Sequence, residues 1–230
     1  MKSNIPNFIT LLNLFSGSVA VIFVLEGNMK FTALFVFLGI FFDFFDGLLA
    51  RKLKVQSELG VQLDSLADMV TSGLVPGLVL FYLLGLAPQL SWAPSNLLPY
   101  FGLLVTLASA YRLANFNIST NQSDAFIGLP TPANTLLIIS FPLIVEYQNS
   151  DAINAIILNP WFLIGMTLVS CYLLNAPIKL IALKFKTWGF KDNAARYILI
   201  VLSAVLLAVF QFAGIPLIVL TYIFLSILSK

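Results

Sequence analysis

The chain has no histidine and a single cysteine among 230 residues. Without histidine it lacks the usual acid–base group near neutral pH and the commonest metal ligand. Any general base or hard-metal site must therefore be built from carboxylates. The lone Cys171 excludes an intrachain disulfide. Charge is scarce as well: 10% of residues, where a soluble domain carries about a quarter. The net charge of +2 is too small to suggest nucleic-acid binding. Gly/Ser linkers, low-complexity segments and a convincing internal repeat are missing too. What the chain has instead is apolar sequence, 60% of residues with a mean hydropathy of +0.98. That composition describes a polytopic membrane protein with no room for a separate soluble domain, so residues 1–230 read as one transmembrane unit.

A spanning helix needs about 20 apolar residues, with a range of roughly 17–25. Eight candidates lie near 5–25, 30–51, 61–86, 97–117, 131–147, 158–178, 194–211 and 215–229. The first is read as a retained span, because no small-residue cleavage site follows it. The last two form one apolar tract broken by Gln211, Gly214 and Pro216, and this turn chemistry favours two short spans over one overlong helix. The expected fold is an all-α bundle of about eight transmembrane helices. With the N-terminus inside, eleven of the twelve basic residues fall on the inner side, and only Lys30 falls outside. The positive-inside rule thus puts both termini in the cytoplasm. Pro88, Pro94 and Pro99 mark an outer loop that holds Trp92, and Lys179, Lys184, Lys186 and Lys191 form an inner basic patch beside Trp188. Anionic lipid headgroups suit that patch. The 21 phenylalanines read as lipid-facing bulk.

Five of the ten acidic residues crowd into FFDFFDGLLARKLKVQSELGVQLDSLADMV, residues 41–70. Asp43 and Asp46 are three apart at the inner end of the second span, so they share a helix face, with Gly47 and Ala50 completing that face. Asp64 and Asp68 are four apart at the start of the third span and share a face there. The short polar link Arg51–Gly60 makes the two spans antiparallel neighbours, which lets all four carboxylates converge near the cytoplasmic interface. Converging carboxylates repel, and a hard divalent cation resolves the repulsion. Mg²⁺ and Mn²⁺ prefer oxygen ligands and commonly share them with substrate phosphates. Arg51 beside the cluster suits a phosphate or pyrophosphate. The residues point to a metal-dependent enzyme acting on a phosphorylated substrate at the inner membrane face. An ion or proton path lined by acids stays open as the alternative, as does a plain set of solvated span ends.

The pattern Asp43-x-x-Asp46-Gly47-x-x-Ala50-Arg51, eight residues, then Gly60-x-x-x-Asp64-x-x-x-Asp68 resembles the signature of the CDP-alcohol phosphotransferases, integral membrane enzymes that release CMP from a CDP-linked lipid. The opening Ile5–Gly17, the stretch Tyr111–Asn117 and the run Gly128–Ala133 resemble the serine-accepting branch of that family, with a departure at Asn115, where relatives carry Arg. The motif resemblance covers roughly the first 135 residues. It implies transfer of a phosphatidyl group from CDP-diacylglycerol to L-serine, with glycerol phosphate or inositol phosphate as alternative acceptors. It implies Mg²⁺ or Mn²⁺ on Asp43, Asp46, Asp64 and Asp68, with Asp68 also the general base. It places CDP-lipid contacts at Asn7, Thr10, Gly47, Arg51, Ser57 and Gly60. Arg112, the only basic residue at the inner end of the fourth span, suits the serine carboxylate through its bidentate fork, and the amides of Asn13 and Asn117 suit the amine or hydroxyl. The resemblance further implies a homodimer in a prokaryotic cell membrane. Ser57 also reads as an ordinary loop serine, Asn7 as a helix cap, Arg112 as a snorkelling arginine, and Asn13 and Asn117 as polar links between helices. The polar segment 118–130 reads as a lid over the site or as a plain connector.

Overall fold

The computed structural model describes residues 4–88, 97–118, 125–181 and 189–228. Trp92, Pro94, Lys184, Lys186 and Trp188 lie outside the described residues, as does the side chain of Lys191, while Lys179 is described and exposed.

The described chain is almost wholly helical. Helix α1 (Asn4–Leu25) turns at Gly27 (φ +73°) into α2 (Met29–Leu53), whose N-terminus is capped by Asn28 accepting from the Phe31 amide at 3.3 Å. Lys54, in the left-handed region (φ 54°), ends α2. Ser57 then caps α3 (Glu58–Asp68), accepting from the Gly60 amide at 3.1 Å. After Asp68 the same helix widens into a π segment, Met69–Leu74, and continues as α4 (Val75–Leu86). A 3₁₀ turn at Leu98–Leu103 leads into α5 (Leu104–Ile118). Next come α6 (Thr131–Tyr147), the short α7 (Asp151–Ile157), α8 (Pro160–Asn175), α9 (Phe190–Phe210) and α10 (Gly214–Leu228).

Helices long and apolar enough to cross a membrane are Asn4–Leu25, Met29–Leu53, Glu58–Leu86 and the 36-residue tract Asn193–Leu228. The pair α7 and α8, bent by 55°, passes together as a fifth. The long tract breaks at Gln211 (φ 50°), and α9 and α10 pack against each other, so the chain folds back there as the Gly214–Pro216 turn chemistry suggested. The fold departs from expectation at three places. The link Glu146–Pro160 contains α7. The helix expected over 158–178 ends at Asn175. Part of the segment 118–130 is a strand: β1 (Ala125–Ile127) pairs antiparallel with β2 (Lys179–Ile181), Phe126 opposite Leu180, so the fold is not purely α. Residues 119–124 lie outside the described residues, so the rest of that segment is not described. At Gly128 (φ +73°) any Cβ would run into the Leu174 carbonyl, which explains a glycine at this join. The ribbon is fastened to α10: the Ile181 amide donates to Ser226 Oγ at 3.1 Å, and the Tyr222 hydroxyl donates to the Ile181 carbonyl at 3.0 Å.

Apolar burial adds little between helices in lipid, so close approach and buried polar pairing carry the packing. The buried stripe of α1 shows this: Thr10, Asn13, Ser16, Gly17 and Ala20 lie on one side, facing α2 and the π segment. A Cβ at Gly17 would overlap the Thr71 hydroxyl and stand 3.0 Å from its backbone; one at Gly39 would meet Thr71 Cγ2 at 2.6 Å and Asn13 Oδ1 at 2.9 Å. Gly17→Ala and Gly39→Ala should therefore each destabilise the protein by about 1–3 kcal/mol, the usual cost of overpacking. A lowered thermal unfolding midpoint in detergent is the check. Either variant unfolding like the parent would refute this packing role. On the outer surface Phe41, Phe44 and Phe45 are exposed, on the side of α2 away from buried Asp46.

Candidate active site

Helix α1 packs against both α2 and α3, whereas α2 and α3 make almost no backbone contact with each other. The two aspartate-bearing helices are therefore not the close neighbours that their short link suggested. A groove separates them, floored by α1, and their carboxylates bridge it. Asp43, Asp46 and Asp64 each offer an oxygen within 4.8 Å of the others. The Asp43 and Asp64 carboxyls lie within hydrogen-bonding reach of each other. Asp46 is 4% exposed and accepts from the Thr10 hydroxyl at 2.5 Å. Three acidic groups packed this closely can hold a divalent cation, and without one a proton shared between two of them relieves the repulsion.

Asp68 stands outside that trio but within its electrostatic influence. Its carboxylate accepts from Asn13 Nδ2 at 3.3 Å, and Asn13 Oδ1 in turn accepts from the Thr71 hydroxyl at 2.8 Å. Thr71 sits in the π segment, so the widened turn after Asp68 supplies the group that orients Asn13. The same turn displaces backbone carbonyls. The Ser72 carbonyl accepts from Thr135 of α6 at 2.9 Å, and the Gly73 carbonyl accepts from Thr106 of α5 at 3.1 Å. Hydroxyls from two neighbouring helices thus satisfy groups that could find no water in a membrane.

The remaining expected site residues gather around this groove with different partners. Asn7 lies inside α1, not at its cap, and its Oδ1 comes within 3.2 Å of where a Gly60 Cβ would be. Ser57 serves as the α3 cap. Around Gly47 an added Cβ would meet only the Arg51 guanidinium, at 3.6 Å, and Arg51 is exposed. Asn13 is spoken for by Asp68 and Thr71. Asn117 ties α5 to α3, accepting from Ser65 Oγ at 3.1 Å and facing Gln62 Oε1 at 3.5 Å. Arg112 on α5 lies within electrostatic reach of both Asp68 and the Tyr222 phenol. Sequence reasoning missed the π segment, Thr71 and Tyr222. The small polar run Thr71-Ser72-Gly73 inside an apolar span is the trace the first two leave; Tyr222 leaves none.

Residues 3–172 match the CDP-alcohol phosphatidyltransferase family, and the chain belongs to that family. Among its relatives, it is 39% identical over 143 residues to CDP-diacylglycerol–serine O-phosphatidyltransferase of Bacillus subtilis (strain 168), covering 60% of this chain and 75% of that one. It is 33% identical over 166 residues to the protein of the same name from Methanocaldococcus jannaschii, covering 72% and 71%. To the one from Helicobacter pylori (strain J99) it is 34% identical over 137 residues, 58% of this chain but only 55% of that relative's length.

Proposed function

We propose that this membrane transferase moves the phosphatidyl group of CDP-diacylglycerol to L-serine, giving phosphatidylserine and CMP. The observation that carries the reading is the groove between α2 and α3, where Asp43, Asp46 and Asp64 converge and Asp68 is held apart by Asn13. The names of the relatives support the donor and the acceptor. Mg²⁺ or Mn²⁺ would be held by the three converging aspartates, with Asp68 as the fourth carboxylate. Once bound, the ion supplies charge compensation for the pyrophosphate and the departing CMP.

The chain's own residues then do the following. Gly47 leaves the α2 backbone open to the nucleotide, and Arg51 pairs with a phosphate. Asn7, Thr10, Ser57 and Gly60 shape the nucleotide end, Thr10 by fixing Asp46 and Ser57 by capping α3. Arg112 takes the serine carboxylate. Asp68 accepts the proton of the serine hydroxyl as its oxygen bonds to the lipid-side phosphorus and the bond from that phosphorus to the CMP oxygen breaks. A direct displacement needs no covalent intermediate, and the Thr10 and Ser57 hydroxyls are engaged with Asp46 and the Gly60 amide. Asn13 and Asn117 act on this site by holding Asp68 and α3. The reading carries with it eight spans, both termini and the groove on the cytoplasmic side, a homodimer and a single catalytic unit over 1–230.

The test is CMP release by purified protein from CDP-diacylglycerol and Mn²⁺, with and without L-serine. Serine-dependent release that a chelator abolishes is expected. Release prompted by glycerol phosphate or inositol phosphate and not by serine would overturn the acceptor. Gly47→Ala gives a second check. The added methyl meets nothing closer than ordinary contact, so the unfolding midpoint should stay put, while the KM for CDP-diacylglycerol rises about tenfold or more, as one clash at a close backbone approach implies. An unchanged KM would remove the nucleotide from this face of α2.

A further inference from the structure

Several hydroxyl groups on the helices of this chain turn back on their own backbone. Ser16, Thr32, Thr167 and Thr221 each donate to the carbonyl four residues earlier, at 2.8, 2.9, 2.8 and 2.7 Å. Thr71 does not. From the π segment it reaches across to α1 and shares its proton between two oxygens of one residue, Asn13 Oδ1 at 2.8 Å and the Asn13 carbonyl at 3.2 Å. Both residues are buried. The threonine is also wedged in place. Its methyl lies against Gly39 of α2, where an added Cβ would come within 2.6 Å of it, and its hydroxyl lies against Gly17 of α1. Three helices thus meet on one side chain, and the two glycines leave it a single orientation.

The amide that Thr71 holds is the one that meets Asp68. Asp68 and Thr71 lie three residues apart on one continuous helix. They clasp the Asn13 amide from its two ends, Thr71 at Oδ1 and Asp68 at Nδ2. The partners dictate which end is which. An ionised carboxylate only accepts, so the NH2 end must face it, and the hydroxyl then donates to the carbonyl end. The contact to Asp68, at 3.3 Å, is longer than the usual N–H···O range of about 2.7–3.2 Å. By itself it would not stop the amide turning about its last bond. The 2.8 Å bond from Thr71 does.

We propose that Thr71 is a positioning residue for the transfer: through Asn13 it holds the Asp68 carboxylate with Oδ1 engaged and Oδ2 left for the proton of the acceptor alcohol. This rests on the transfer proposed above. There the alcohol oxygen bonds to the lipid-side phosphorus, its proton passes to Asp68, and the bond to the CMP oxygen breaks with its electron pair leaving on CMP. A carboxylate oxygen that already accepts an N–H is the weaker base of the two. The orientation of the carboxylate therefore decides which oxygen meets the hydroxyl. Proton transfer needs that oxygen within about 2.6–3.2 Å of its donor, so a carboxylate free to swing loses rate without losing substrate affinity. Thr71 acts wholly through Asn13 and Asp68 and touches no substrate.

The experiment is steady-state CMP release, with CDP-diacylglycerol and L-serine varied in turn, by wild type, Thr71→Val, Thr71→Ser, Asn13→Ala and the double variant Thr71→Val with Asn13→Ala. Thr71→Val keeps the shape wedged between Gly17 and Gly39 and removes the hydroxyl. It should lower kcat about 10- to 100-fold, the cost of losing a group that orients a site residue, and leave both KM values within about twofold. Thr71→Ser restores the hydroxyl and should recover most of that loss. In the Asn13→Ala background the valine should cost less than about twofold more, because its route to Asp68 is already gone. A kcat for Thr71→Val close to wild type would overturn the proposal. So would equal losses for valine and serine, which mark packing against the glycines, or an undiminished further loss in the Asn13→Ala background. If Thr71→Val does not fold, Thr71→Ala is read by the same comparisons. If wild type ignores serine and uses another alcohol, the serine reading falls. The role of Thr71 then stands or falls on the same kcat ratios measured with that alcohol.

Discussion

Asp68→Asn should lower serine-dependent CMP release by about 10²–10⁴-fold, the range general-base catalysis contributes. The substitution nearly preserves shape, and an asparagine oxygen still accepts from Asn13 Nδ2, a contact of 3.3 Å in the wild type. The Thr71–Asn13 pair behind it is untouched, so the groove should keep its geometry. The loss should therefore fall on kcat, with the KM for CDP-diacylglycerol within about threefold, the pattern of an interaction made only in the transition state. Steady-state rates across a pH series check this: the variant should also lose the acid limb of the wild-type profile. A variant within tenfold of wild type would move the base elsewhere. A loss shared equally between kcat and a raised KM for the CDP-lipid would make Asp68 chiefly a ligand for the pyrophosphate end.

The two readings of Asp68 separate because of a feature the sequence does not display. The spacing of Asp43, Asp46, Asp64 and Asp68 put two acids on each of two helix faces, and the structure keeps those faces turned to one groove. It could not show that three of the acids gather and the fourth stands off. The π segment, which begins at the residue after Asp68, supplies Thr71, which orients the Asn13 amide on Asp68. One extra residue in a turn leaves no mark on apolar periodicity, and Met69–Leu74 reads as ordinary span. Likewise the short link from α2 to α3 implied contact between them, whereas each packs instead against α1. The long helices were legible because long apolar runs leave the backbone no other way to pair in lipid, whereas the seven-residue α7 was not. The ribbon β1–β2 was not, since three-residue strands carry too little pattern.

The trio itself makes a prediction in which activity and stability move in opposite directions. Asp43 lies within hydrogen-bonding reach of Asp64 and within 4.8 Å of Asp46, so metal-free protein bears the repulsion of this cluster. Asp43 and Asp64 can hydrogen-bond without metal only by sharing a proton, whereas Asp43→Asn gives Asp64 a permanent donor, so at neutral pH and above the metal-free variant should unfold at a higher temperature than metal-free wild type. Wild type should gain stability on adding Mn²⁺, by about 2.7 kcal/mol at a hundred times the dissociation constant, and the variant should gain far less. Its activity should fall at least about 100-fold, since even groups that merely support a metal ligand cost 10–100-fold when lost. Thermal unfolding with and without Mn²⁺, beside CMP release, measures all three effects on the same samples. Equal stabilisation of both proteins by Mn²⁺ would place the ion away from Asp43. A less stable metal-free variant would mean that Asp43 pairs with something other than its acidic neighbours, and the cluster would lose its case as a metal centre.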